Sequence, residues 1–192
     1  MDIDTAFDGL KIMYRKGTDN YVSLLVAMEP YTTFASFTYM VENDKAIYVT
    51  GYAKTPDGMP TLEVADEKLP FSAETMAAIE AHLSHVREGN TAAMAADYAP
   101  DAVILTNLAE NPLTGSDGVQ SYCKALLEYA KEEVSALTAA DTDFQLKNAV
   151  GEIGCLALKQ KASGKACINT FRIQNGKIVF EAAMFEGITA VI

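Results

Sequence analysis

The sequence predicts an α+β protein: a β-rich N-terminal segment, then helices, then a β-meander. Three observations carry this. Residues 10–54 hold runs rich in Tyr, Val, Ile, Phe and Thr, divided by turn residues. From Ser72 to about Val134 apolar residues recur at helical spacing. Residues 144–185 return to strand-like runs, and Asn175-Gly176 between the last two is the strongest short hairpin signal, because a type I′ turn needs positive φ at both positions.

The N-terminal strands are expected at Leu10 to Arg15, Tyr21 to Met28, Phe34 to Glu42 and Lys45 to Lys54. Gly17-Thr18-Asp19-Asn20 is a turn cluster, and Asn43-Asp44 suits a two-residue hairpin turn. Thr55-Pro56-Asp57-Gly58-Met59-Pro60 breaks the pattern. This divides the chain into a β-rich segment over 1–60, a linker over 61–71 and a domain over 72–192. Ser72 caps a first helix carrying Met76, Ile79, Leu83 and Val86 on one stripe, and Gly89 stops it. Asn90 caps a short second helix ending near Tyr98, and a strand follows from Ala102 to Asn107. Ser116 caps a third helix, with Val119, Tyr122, Leu126 and Tyr129 or Ala130 on one face. Phe144 to Val150, Cys155 to Lys161, Lys165 to Gln174 and Lys177 to Phe185 then form the meander, with Ala162-Ser163-Gly164 as its other turn.

Composition narrows the function. Of 192 residues, 49% are hydrophobic and 21% charged, which excludes a disordered chain. No apolar run approaches the roughly 18 residues of a membrane span, and the acidic start Met1-Asp2-Ile3-Asp4 lacks the pattern of a secretory signal. The net charge of −11 argues against a nucleic-acid partner, which needs clustered Lys and Arg. Cys123, Cys155 and Cys167 are odd in number and lack CxxC spacing, so they read as thiols in a reducing cytoplasm rather than as a disulfide framework or zinc site. His82 and His85 are spaced i, i+3, but no carboxylate or third histidine is arranged with them in sequence, so no metal is expected. GxGxxG, GxxxxGK[ST] and GxSxG are absent, and no cofactor is expected.

Three local motifs follow one another in the order of a known superfamily. Tyr98-Ala99-Pro100-Asp101-Ala102-Val103, Gly115-Ser116-Asp117-Gly118-Val119 and Phe171-Arg172-Ile173-Gln174-Asn175-Gly176-Lys177-Ile178-Val179 resemble the first-strand entry, third-helix entry and last hairpin of nuclear transport factor 2-like proteins. The resemblance covers some 115 residues. It implies a cone-shaped curved antiparallel sheet packed on three helices around an apolar pocket, and a homodimer. The superfamily includes ketosteroid isomerases, polyketide cyclases, dehydratases and non-catalytic members. Thr38 to Lys45 also lies over Thr170 to Lys177 without a gap, and Asp4-Thr5-Ala6-Phe7 echoes Asp141-Thr142-Asp143-Phe144. The N-terminal segment can thus repeat the sheet half without its helices, and a pseudo-dimer within one chain or a swap between chains would cover its apolar face.

Regular alternation about Asn175-Gly176 places Cys167, Asn169, Phe171, Ile173, Ile178, Phe180, Ala182 and Met184 on the pocket face, and Arg172, Val179 and Glu181 on the other. His82 lies at the edge of the first helix's apolar stripe, with His85 further toward solvent. Ketosteroid isomerases place an oxyanion-donating tyrosine on the first helix, an oxyanion-donating aspartic acid on the penultimate strand and a proton-moving aspartate after the first strand. By motif these positions fall on His82, on Asn169 and near Thr106 or Asn107. Neither Thr nor Asn abstracts a proton at neutral pH, which puts the isomerase mechanism in doubt. His82 and Asn169 are the candidate catalytic pair, as acid or base and oxyanion donor. Alternatively they bond each other, backbone or buried water. Tyr98, Thr106, Tyr122, Phe171, Phe180 and Met184 are candidate pocket residues, though such aromatics also serve as core. Asp97, Asp101 and Glu110 read as solvated. Three functions stay open: binding of a small apolar ligand, a cofactor-independent enzyme acting on a small carbonyl compound, and a dimerisation or assembly domain.

Overall fold

The computed structural model describes residues 10–28, 33–54, 70–133, 142–161 and 165–186. Apart from Pro70 and Phe71, the expected linker lies outside these residues, as do Asp4 to Phe7, the breaker at 55–60 and the turn at Ala162-Ser163-Gly164. The protein is α+β and divides into two compact units, Met1–Lys68 and Leu69–Val191.

The first unit is a four-stranded antiparallel sheet of β1 (Leu10–Gly17), β2 (Tyr21–Met28), β3 (Thr33–Glu42) and β4 (Lys45–Lys54), in that order. Asn43 and Asp44 take φ of 50° and 59°, the positive pair that a type I′ turn requires. Ser23, Ser36, Thr38, Met40 and Thr50 share one face and are buried, with the Ser23 and Thr38 hydroxyls 3.2 Å apart.

The second unit packs three helices, α1 (Ala73–Glu88), α2 (Thr91–Ala96) and α3 (Gly115–Glu133), with six strands. These are β5 (Tyr98–Thr106), β6 (Leu113–Thr114), β7 (Thr142–Val150), β8 (Ile153–Gln160), β9 (Ala166–Gln174) and β10 (Lys177–Phe185). Their order is β6-β5-β10-β9-β8-β7. The sheet is mixed rather than purely antiparallel, since β5 runs parallel to β10. β5 also starts at Tyr98, four residues before the expected Ala102, because Tyr98 pairs with Ile178 across Pro100. Asn107 extends this parallel edge, its Nδ2 donating to the Phe185 carbonyl at 2.8 Å and its Oδ1 accepting from the Phe185 N–H at 3.0 Å.

The register contains irregularities that hydropathy does not show. In β10, Ile178 pairs with Ile173 but Phe180 pairs with Arg172, so Val179 is an extra, bulged residue. Every residue after it changes face. Glu181, Ala183 and Phe185 join Asn169 and Phe171 on the helix side, and Phe180, Ala182 and Met184 point to the opposite one. The regular alternation expected for this strand is therefore corrected: Phe180 and Met184 leave the pocket face, and Glu181 enters it.

The two sheets share one register. From Thr38 to Thr170 is a step of 132 residues, and that step converts the pairs of β1–β4 into those of β7–β10. Ser23↔Thr38 becomes Cys155↔Thr170, and Tyr39↔Val49 becomes Phe171↔Glu181. The bulges follow the same step. The shift between Ile12 and Tyr14 corresponds to that between Phe144 and Leu146, and the bulge at Ile47 to that at Val179.

Helix α1 is fixed at its start. The Ser72 hydroxyl accepts from the Thr75 N–H at 3.3 Å, and the Ser72 N–H donates to the Ala149 carbonyl at 2.8 Å. Gly89, in the left-handed region at φ 65°, closes the helix. Its buried stripe is Thr75, Met76, Ile79, His82 and Val86, so His82 sits within the stripe rather than at its edge. Close approach to the sheet depends on Gly154, where a Cβ would run into Cδ1 of the fully buried Ile79. Gly154→Ala is therefore expected to cost about 1–3 kcal/mol in urea unfolding, and adding Ile79→Val to restore part of it. Equal losses with and without Ile79→Val would show that the helix does not press on this glycine.

Candidate functional site

A cavity of about 100 Å³ opens between α1, α3 and strands β8–β10. Its wall is mostly apolar and includes Leu83, Val86, Leu126, Leu158, Phe171 and Phe185. His82, Asn169 and Glu181 supply polar atoms, Thr142 and Gln160 contribute from the ends of β7 and β8, and Lys165 from just before β9.

Glu181 is 1% exposed. The bulge aims it inward, and three donors meet it. Tyr98 donates its hydroxyl to Oε2, Tyr122 donates to Oε1 at 2.9 Å, and Asn169 Nδ2 donates to Oε1 at 2.8 Å. These come from the start of β5, the buried face of α3 and the middle of β9, so one carboxylate ties three elements together. Burial first, and then the Glu181 charge, push both tyrosine hydroxyls well above their ordinary range. Asn169 is satisfied on its other side as well, its Oδ1 accepting from the Cys167 thiol at 2.9 Å. Burial also raises all three thiols: Cys155 to about 11, Cys123 to about 12 with help from Glu181, and Cys167 well above its ordinary value. None is an activated nucleophile.

His82 is 2% exposed and stands edge-on to Tyr98, with ring centroids 5.3 Å apart. Its Nδ1 lies 2.9 Å from Asp97 Oδ2, and His85 Nδ1 meets the same oxygen at 2.9 Å. Asp97, at 19% exposed, is thus a shared acceptor rather than a solvated carboxylate. Burial pushes its carboxyl up, but the hydrogen bonds from His82 and His85 outweigh this, and its pKa lies below the ordinary value. The bond to Asp97 raises His85, which is 32% exposed. Among the described residues no group of three or more His, Cys, Asp or Glu could hold a metal ion.

The structure brings three of the sequence candidates, His82, Asn169 and Phe171, to the cavity wall. Tyr98 and Tyr122 stand behind it, reaching it through Glu181. Thr106 is buried and accepts from the Leu108 N–H at 3.2 Å, and Asn107 is held by the Phe185 backbone. Neither these two nor Phe180 and Met184 line the cavity. Sequence reasoning missed Glu181 and Asp97. A lone charge in the otherwise apolar run Ile178–Phe185 was the available signal for Glu181. Nothing in periodicity marks Asp97, whose role depends on the turn from α2 into β5.

No family model matches the chain, and no curated protein does. Similar solved structures include a steroid delta-isomerase from Pseudomonas aeruginosa, at 18% identity over 64% of this chain and 87% of that one, TM-score 0.46. An NTF-2 like protein of unknown function from Burkholderia xenovorans LB400 is 17% identical over 58% of this chain and 82% of that one, TM-score 0.42. A protein with a cystatin-like fold from Silicibacter pomeroyi DSS-3 is 13% identical over 62% and 80%, TM-score 0.47. Among the described residues no helix is long and apolar enough to cross a membrane.

The Asp97 pair dictates a pH dependence. A lowered carboxyl pKa contributes stability above the ordinary value of 3.8 that is lost as pH falls through the folded value. A raised histidine pKa contributes stability below 6.5 that is lost as pH rises through the folded value. Urea unfolding of wild type and Asp97→Asn across pH should therefore differ most between 3.8 and 6.5, and less on either side. A difference constant across pH would mean that His85 and Asp97 do not share this bond.

Proposed function

We propose that the protein binds a small, mostly apolar molecule in the cavity between α1, α3 and β8–β10. The observation that carries this reading is a buried carboxylate, Glu181, in a mostly apolar wall. Removing a carboxylate from water costs several kcal/mol before its partners compensate. A mostly apolar pocket with a few convergent polar groups is the usual form of a small-molecule site. The volume of about 100 Å³ points to a compact ligand, since drug-sized molecules occupy pockets of roughly 300–1,000 Å³. The reading places the protein in the cytoplasm, where its free thiols stay reduced.

A second reading, a cofactor-independent enzyme acting on a small carbonyl compound, has one observation in its favour. His82 bonded through Nδ1 to Asp97 has the geometry of a base and its orienting carboxylate. Asn169, proposed as the oxyanion donor, gives an amide hydrogen to Glu181, which weakens its case for that role.

Native mass spectrometry tests the binding reading. Wild type is expected to carry a small adduct that is lost on denaturation. Ala130→Leu, which fills the cavity, should carry none while folding as well as or better than wild type, by about 0.5–2 kcal/mol. Wild type that carries no adduct and gains no thermal stability from small apolar fragments would contradict it. The same spectrum counts subunits, with the homodimer expected.

A further inference from the structure

We infer that the end of the ligand reaching His82 and Glu181 is a hydrogen-bond donor, an alcohol or an amine on a compact apolar body, rather than a carbonyl or a carboxylate. This rests on the binding reading above and specifies its chemistry.

The polar atoms already occupied around the cavity decide which head group fits. The Nδ1 of His82 faces a carboxylate oxygen that can only accept, so Nδ1 carries the hydrogen. In the neutral ring Nε2 is then an acceptor. The ring lines the cavity at 2% exposed, and among the described residues no hydrogen bond reaches Nε2. A buried acceptor left unpaired is costly, so a ligand that supplies a donor is favoured over one that does not. Glu181 adds a second set of acceptor atoms. Its two oxygens receive three donors, and a carboxylate has about four acceptor positions.

The donors nearby are largely spent. The hydroxyls of Tyr98 and Tyr122 go to Glu181, and the Cys167 thiol goes to Asn169. A carbonyl head would meet the acceptors Nε2 and Glu181, and only the second hydrogen of Asn169 Nδ2 among these groups could serve it, while a carboxylate head would also meet the Glu181 charge. Lys165, a cation in the lining, precedes β9 and stands four residues before Asn169, roughly 13 Å of extended chain.

Four probes of near-equal size separate the head groups: isobutanol, isobutylamine, methyl isopropyl ketone and isobutyrate. Each is titrated into the full wild-type chain labelled with 15N-histidine, following the His82 Nε2 resonance. Isobutanol and isobutylamine are expected to shift Nε2 and to bind at least about tenfold tighter than the other two. Equal or tighter binding by the ketone or isobutyrate would overturn the donor assignment while leaving the cavity a binding site. No binding by any of the four would overturn both the assignment and the reading beneath it.

Discussion

The second unit is organised around a carboxylate that has no water to hold it. Glu181 is buried at the junction of β10, β9, β5 and α3, and the hydroxyls of Tyr98 and Tyr122 and the amide of Asn169 replace the lost solvent. Without those donors a carboxylate at this depth would cost several kcal/mol. With them, the start of β5 and the buried face of α3 are tied to the middle of the sheet. The arrangement depends on one backbone irregularity, since without the bulge at Val179 the side chain of Glu181 would lie on the opposite face of β10.

The register shared by the two sheets sets this site apart. The step of 132 residues that maps β1–β4 onto β7–β10 keeps the bulges but not the chemistry. Glu181 corresponds to Val49, Asn169 to Phe37 and Phe171 to Tyr39. The first sheet therefore has the same backbone bulge, but there the residue at the position of Glu181, Val49, is 51% exposed and apolar. The bulge is common to both sheets, and among the described residues the buried carboxylate occurs in the second sheet alone. Its three hydrogen-bond partners likewise come from β9 and from elements that follow the first sheet in the chain.

Elements with local signals were legible in the sequence. Ser72, Gly89 and Asn90 cap helices as their residue types suggest, and Asn43-Asp44 and Asn175-Gly176 take the positive φ that their turns need. His82, Asn169 and Phe171 could be assigned to the pocket side because their elements are regular up to those positions. The errors share a physical origin. Residues 178–185 are apolar on both faces apart from Glu181, so hydropathy could not reveal the change of face at Val179. The same error carried Phe180 and Met184 into the expected pocket and Glu181 out of it. The parallel pairing of β5 with β10 and the sharing of Asp97 by two histidines are non-local contacts, set by how α2 turns into β5. No spacing rule within one element encodes them.

Glu181 is held inside by hydroxyls from other elements, and a double-mutant cycle between Tyr122→Phe and Glu181→Gln measures that contact directly. Stability by urea unfolding of the two single variants and the double should show a coupling of roughly 0.5–3 kcal/mol, as for residues in one hydrogen-bonded network. Additivity within about 0.3–0.5 kcal/mol, as for independent sites, would mean that the hydroxyl and the carboxylate do not meet and that Glu181 does not organise the cavity.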